Sequence, residues 1–345
     1  MKAFLLEQAN NLVLKTIEIP RCKAGEVLVK VAACGICRTD MKSYRLGHRD
    51  LHLPRILGHE IAGTVVEIGA GVTEVHCGER VQVSPGLPCG VCPNCLTGLN
   101  HLCPNIEIMG FHYDGGFAEY VLIPSKGVKA KVLNKLPDHF PIELAALTEP
   151  LACCINIQES MDIGSGDTII IFGAGPVGIL NAKLAKLRGA KNIAIFDVNK
   201  KRLHQAAGFA FCHLFNPLEQ DPVKVVRELT DGTGAEAVIP CCPDIAAFRQ
   251  GLSILRKRGK FGFFSGLVGE HAVSVGELNN FHYKEIRLFG AYGCSSEHNK
   301  KALLLLSSGM LEVDNLITKI IPLEDIKEGL RMVEKLAELK IVVKC

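Results

Sequence analysis

The run from Asp167 to Asp197 constrains the fold of this chain more than any other stretch. Asp167-Thr168-Ile169-Ile170-Ile171-Phe172 is a continuous apolar segment, of the kind buried on both faces of a parallel sheet. Gly173-Ala174-Gly175-Pro176-Val177-Gly178 follows directly, then a helical pattern from Ile179 to Leu187, then a second apolar segment from Asn192 to Phe196 that ends in Asp197. A lone G-x-G-x-x-G is weak evidence. Here a strand precedes it, a helix follows it, and an acid lies 19 residues beyond the last glycine, which together form a dinucleotide-binding fingerprint. Gly173 allows the tight turn, Gly175 the approach of a pyrophosphate, and Gly178 the close packing of helix on strand. Pro176 and Val177 open the helix, whose unpaired N–H groups favour an anion. Asp197 would accept hydrogen bonds from ribose hydroxyls and repel a 2′-phosphate, so NAD is expected over NADP, with Arg202 leaving some tolerance of NADP. The bland alternative for Asp197 is a surface carboxylate at a strand end. Further strand segments at Ala237-Val238-Ile239, Gly262-Phe263-Phe264 and Ile286-Arg287-Leu288-Phe289 extend an α/β, doubly wound sheet to about Gly290.

A second constraint lies upstream. Cys89, Cys92, Cys95 and Cys103 stand in a glycine- and proline-rich loop, and turns such as Pro88-Cys89-Gly90 and Cys92-Pro93-Asn94 let their thiolates converge on one Zn²⁺. Four protein ligands close the site, so the expected role is structural. The chain has 345 residues and 15 cysteines. In a chain of this size such a count fits metal-bound and buried thiols in a reducing compartment better than a disulfide framework. Charge at Lys2 and Glu7 interrupts any signal-peptide core, and no apolar run approaches a membrane span, so a cytoplasmic location is expected. A formal net charge of +3 is too mild to argue for nucleic acid or a membrane surface.

Before the cysteine loop the pattern is strand and turn, as in Val27-Leu28-Val29-Lys30-Val31 and Gly63 to Ile68, which reads as a β-rich domain. After it come a turn and strand from Gly115 to Pro124 and a helical start from Pro141 to Leu147. The tail reads as helices over 300–308 and 323–339 and a short strand, Ile341-Val342-Val343. Flanking the loop are Gly35-Ile36-Cys37-Arg38-Thr39-Asp40, Gly58-His59-Glu60 and Glu149-Pro150. A thiolate, an imidazole and a carboxylate suit a Zn²⁺ that keeps its fourth position open for chemistry. Singly each is weak, since a lone buried histidine is more often a hydrogen-bonded core residue. Their weight comes from occurring together.

In this order the motifs resemble those of the zinc-dependent medium-chain alcohol dehydrogenases, over the whole chain. Glu149, where many relatives carry a third cysteine, looks like the polyol (sorbitol) and threonine dehydrogenase branch. The resemblance implies a GroES-like catalytic domain over 1–150 and 291–345 with the structural zinc lobe, interrupted by a Rossmann NAD-binding domain over 151–290. It also implies a homodimer or homotetramer, and one catalytic and one structural zinc per chain. By position, Cys37 and His59 would bind the catalytic zinc, and Glu149 would bind it directly or through water. Glu60 would be an adjacent carboxylate able to bind or swing away, and Asp40 the partner that fixes the His59 ring. Thr39 would hydrogen-bond the substrate hydroxyl, Arg38 would meet the cofactor pyrophosphate, and Cys34 would be a buried thiol. The implied reaction moves a hydride between a small secondary alcohol or polyol, or its ketone, and NAD(H), the metal acidifying the bound hydroxyl. L-Threonine or a phosphorylated or sulfonated polyol are alternative substrates. A non-catalytic zinc- and NAD-binding scaffold is the alternative outside enzymes.

Two features depart from the family pattern. Relatives often place a relay histidine five residues after the zinc cysteine, where this chain has Lys42. The proton is then expected to leave through ribose hydroxyls, water, His48 or His52. Between the zinc motifs, Lys42, Arg45, His48, Arg49, His52 and Arg55 face a single Asp50. A solvated loop is the weightier reading, and a preference for anionic substrates is the sharper one.

Overall fold

The computed structural model describes residues 1–209, 212–267 and 274–345. They form two compact units, Met1–Ala152 with Cys294–Cys345, and Cys153–Gly293.

The first unit is built on the strand Val27–Ile36, whose residues are almost all buried. Its sheet runs in the order Leu133–Lys135, Arg80–Val83, Glu60–Ile68, Val27–Ile36, Lys340–Lys344, Ile317–Pro322, and Tyr120–Ile123 also pairs with the central strand. Alternating β-branched residues fit this pleated, half-buried surface. Val29, Val31, Ile61, Phe117, Ile341 and Val343 pack together in its core. Both neighbours of the central strand run antiparallel to it, with Gly35 opposite Glu60 on one side and Val342 on the other. The end of the central strand and the starts of its two neighbours therefore meet at one edge of the sheet. Beyond Ile36 the chain turns into the helix Arg38–Leu46, capped by a reciprocal pair: the Cys37 sulfur accepts from the helix backbone and Asp40 accepts from the Cys37 N–H. The four-cysteine loop is closed at its base by antiparallel pairing of Gly86–Leu87 with Glu107–Ile108.

The second unit is a parallel sheet ordered His213–Phe215, Asn192–Phe196, Thr168–Phe172, Ala235–Pro240, Leu255–Phe263, Arg287–Gly290. This is the doubly wound order of dinucleotide-binding folds. Thr168–Phe172 is buried along its whole length, as an uninterrupted apolar run requires.

The tail differs from its sequence reading. The helix expected over 323–339 is a short 3₁₀ turn, Leu323–Asp325, followed by Ile326–Glu334. The chain breaks at Leu336, whose φ of 55° is left-handed, and so turns back into the strand Lys340–Lys344. The strand Ile317–Pro322 was not legible as a strand, having lysine and threonine among its isoleucines. Among the described residues no helix is long and apolar enough to cross a membrane.

Candidate active site and metal centres

At the sheet edge just described, donor atoms of Cys37, His59 and Glu60 lie within 4.8 Å of one another. Each arrives from a different place: Cys37 caps the helix that leaves the central strand, His59 precedes the neighbouring strand, and Glu60 begins it. Asp40 is buried behind them and accepts hydrogen bonds from Cys37 N at 2.8 Å and Gly58 N at 3.3 Å. Its Oδ1 also lies 3.2 Å from His59 Nδ1, which leaves Nε2 as the ring's ligand atom. Burial opposes the charged imidazolium, but Asp40 and then the Cys37 sulfur hold His59 well above the ordinary histidine range. Burial likewise raises the Glu60 carboxyl, against the lowering effect of Lys340. Neither Glu60 oxygen has a hydrogen-bond partner of ordinary geometry among the described residues. A thiol, an imidazole and a carboxylate converging on one place fit a zinc ion.

Lys340, absent from the sequence reading, is part of this site: it is buried and its ammonium contacts Glu60 Oε2. A Cβ at Gly35 would land on that same oxygen and crowd the lysine Cε, so Gly35 leaves the space the pair occupies. Glu149 is near enough to this cluster for its charge to raise both the Glu60 carboxyl and the Lys340 ammonium. It lies in the first turn of Thr148–Ser160, with a carboxylate oxygen within 4.8 Å of the Cys294 sulfur. Thr39 is half-buried and Arg38 exposed at the start of their helix, while Cys34 is fully buried.

The four loop cysteines converge, their sulfurs all within 4.8 Å of one another. The thiols are free, and those of Cys92 and Cys95 lie 3.4 Å apart. Backbone hydrogen bonds at Val91 and Cys92 draw the Cys89 thiol down to about 6, whereas burial and then the Cys92 sulfur push Cys95 up to about 12. Four sulfurs this close can all be thiolates only around a cation, so the donor set fits structural zinc.

In the second unit, Gly173 has a φ of 112°, and a Cβ at Gly178 would fall on the Gly173 carbonyl. The helix Pro176–Leu187 starts with Gly175 as its N-cap and Pro176 and Val177 in its first turn. Asp197 reaches the same turn, accepting from Ala174 N and Asn199 N, both at 2.7 Å. Arg202 also belongs here: a Cβ on Gly175 would stand 3.2 Å from its guanidinium.

The basic segment is not a pooled cation site. Arg45 makes a two-pronged contact with Glu334, at 3.1 and 2.7 Å. Arg55 pairs with Asp114 at 3.0 Å and Arg49 with Asp50 at 3.3 Å. These three guanidiniums already have carboxylate partners, which reduces the positive charge they offer to an anionic substrate. His48 Nδ1 accepts from Asp50 N at 3.2 Å, and His112 Nδ1 from Ile108 N at 3.1 Å. A neutral ring so engaged carries its proton on Nε2, so His48 presents a donor, not the acceptor a proton relay needs. Burial lowers its pKa, against the effect of Asp50. Its ring lies 4.7 Å from that of Phe111, which is 6.1 Å from that of His59. His52 is exposed and Lys42 half-buried.

Comparison with known proteins agrees with this arrangement. Residues 23–134 match the alcohol dehydrogenase GroES-like domain, and residues 176–308 match the zinc-binding dehydrogenase family. The chain is 34% identical to an L-threonine 3-dehydrogenase of Bacillus velezensis, over 97% of this chain and 96% of that one. It is 30% identical to a sorbitol dehydrogenase of Bacillus subtilis, over 96% and 92% respectively. Among solved structures, one described as a zinc-binding dehydrogenase from Sinorhizobium meliloti 1021 bound to NADP superposes with a TM-score of 0.90 at 30% identity, covering 100% of this chain and 99% of that one. Identity at this level across nearly the full length of both chains places the protein in the zinc-dependent medium-chain alcohol dehydrogenase family, oxidoreductases that act on CH–OH groups with a nicotinamide dinucleotide.

Proposed function

We propose that the protein oxidises the secondary hydroxyl of an uncharged polyol or diol with NAD, and reduces the ketone in the reverse direction. The observation that carries this reading is the cluster of half-buried Cys37 with buried His59 and Glu60, with buried Asp40 behind the imidazole. Zinc held by Cys37 and His59, with Glu149 bound directly or through water, would supply a Lewis acid for the hydroxyl, and NAD would supply the hydride acceptor. Asp40 keeps His59 Nδ1 turned away from the ligand side. Thr39 Oγ1 would accept a hydrogen bond from the substrate hydroxyl and, as it takes that proton, give its own to water or a ribose hydroxyl of the cofactor. The Phe111 ring shields the histidine side from water, and the His48 Nε2–H offers a hydrogen bond to a second hydroxyl of the substrate.

The uncharged class is favoured because Arg45, Arg49 and Arg55 are each paired with a carboxylate. The L-threonine 3-dehydrogenase relative supports a second reading, a hydroxy amino acid. An NADH-coupled screen of polyols, vicinal diols, L-threonine and polyol phosphates decides among them. A phosphate ester used better than its parent polyol, with an advantage that falls with salt, would overturn the uncharged class. Zinc-loaded protein inactive across the panel would overturn the enzymatic reading.

Asp197 supports NAD as the preferred cofactor. Asp197→Asn keeps one acceptor for the Ala174 N–H but removes the charge. It is expected to weaken NADH binding about tenfold or more, since hydrogen bonds to charged groups contribute ~1.5–3 kcal/mol, and not to weaken NADPH binding. Fluorescence titration with each nucleotide checks this, and equal weakening of both would contradict it.

A homo-oligomer in the cytoplasm completes the reading. The thiolates of the four-cysteine loop need reducing conditions. The strand Arg287–Gly290 lies at the edge of its sheet with Leu288 exposed, a template for pairing with a second copy. Leu288→Asp is expected to shift the protein toward monomer in light scattering. An unchanged mass would remove that edge from the interface.

A further inference from the structure

His48 and His112 are held in the same way. Each Nδ1 accepts a backbone N–H, His48 from Asp50 at 3.2 Å and His112 from Ile108 at 3.1 Å. A neutral ring engaged like this keeps its proton on Nε2, so the backbone fixes both histidines as donors at that atom. Neither Nε2 donates to another group among the described residues, and neither is among the buried atoms left without a partner, so both reach open space.

The two donors belong to a row of rings that starts at the metal position. The His59 ring is 6.1 Å from that of buried Phe111, which is 4.7 Å from that of His48. His48 is near enough to both His59 and His112 to feel their charge. His112 follows Phe111 in the chain, is half-buried, and has its ring 5.5 Å from that of exposed His52. The row therefore leads from the metal position to the surface, with His48 on its inner part and His112 further out. A substrate that displaces water from an open N–H must return the hydrogen bond or lose affinity. An oxygen on the substrate returns it, and an alkyl end does not.

We propose that His112 is a specificity-determining residue whose Nε2–H binds a substrate oxygen beyond the one at His48, so that the substrate is a polyol with at least three oxygens along its chain and not a simple diol. This deepens the uncharged-polyol reading above and rests on it.

The test compares 2,3-butanediol with xylitol, an uncharged pentitol, by NADH absorbance on the zinc-loaded full-length protein. Wild type should have the lower KM for xylitol. His112→Asn keeps an acceptor for the Ile108 N–H at the place of Nδ1 but has no donor at the place of Nε2. It should raise KM for xylitol about five- to tenfold with kcat within about twofold, and lower the xylitol-to-butanediol ratio of kcat/KM by a similar factor. His112→Gln reaches the place of Nε2 with its amide N–H but loses the Nδ1 acceptor, and should keep most of the wild-type ratio. A residue that only braced its loop would give the reverse order, with Gln the more damaging change. A wild-type KM for xylitol no lower than for butanediol would overturn the role of His112, and so would a ratio lower in His112→Gln than in His112→Asn. Zinc-loaded wild type inactive on both alcohols would overturn the uncharged-polyol reading and the role of His112 with it, whereas an active protein with an unaltered ratio in His112→Asn would overturn the role of His112 alone.

Discussion

His59→Ala is expected to lower kcat at least about a thousandfold, equivalent to about 4 kcal/mol of transition-state stabilisation, and to leave one zinc per chain where the intact protein holds two. The imidazole is the one nitrogen donor in the cluster with Cys37 and Glu60, and alanine leaves Asp40 buried without the partner it faces at 3.2 Å. Both losses fall on one site: the remaining donors bind a metal weakly, and a hydroxyl placed there is no longer acidified. Metal analysis and alcohol-dependent NADH absorbance on the same preparation check the prediction. Retention of two zincs with substantial turnover would remove His59 from the ligand set. Asp40→Asn should give a milder form of the same defect, ten- to a hundredfold in metal retention or rate, which is the usual effect of altering the partner of a ligating histidine.

Cys95→Ala is expected to act in the opposite order, with stability lost first and chemistry only as a consequence. Three sulfurs would remain in a loop whose only strand pairing is Gly86–Leu87 with Glu107–Ile108. Zinc bound to a structural site contributes folding free energy directly. A loss of several kcal/mol should lower the melting temperature by at least about 10 °C for a unit of this size. The loop should become the first site of proteolysis, and one zinc per chain should disappear while the Cys37 site keeps its own. A Cys95→Ala protein with unchanged melting temperature but no turnover would contradict this division of labour between the two sites.

The features legible in the sequence are those whose physics is local. Thr168–Phe172 had to be a doubly buried strand because it is apolar at every position but the first. The turn after it needed glycine where φ is 112° and where the helix packs on the Gly173 carbonyl. The four thiols converge because short turns between closely spaced cysteines leave them little alternative. Asp40 could be placed beside His59 because it lies three residues from Cys37 and caps the same helix turn.

What only the tertiary structure decided is set by strand register and by pairing across long separations. Glu60 and Lys340 meet because two strands flank Val27–Ile36 in opposite order from their place in the chain, and nothing local to Leu339-Lys340-Ile341 marks that lysine. The carboxylate partners of Arg45 and Arg55, Glu334 and Asp114, are brought to them by the fold, and nothing local in the sequence marks them. Glu149 acts on Glu60 and Lys340 from the first turn of Thr148–Ser160, far along the chain from Cys37 and His59, a nearness that only the fold provides. The sequence by itself determined the kinds of site and the fold that holds them, since those follow from spacing and periodicity. Which charges are already paired is decided by tertiary structure, because a charge's effect depends on the partner that folding brings within a few ångströms.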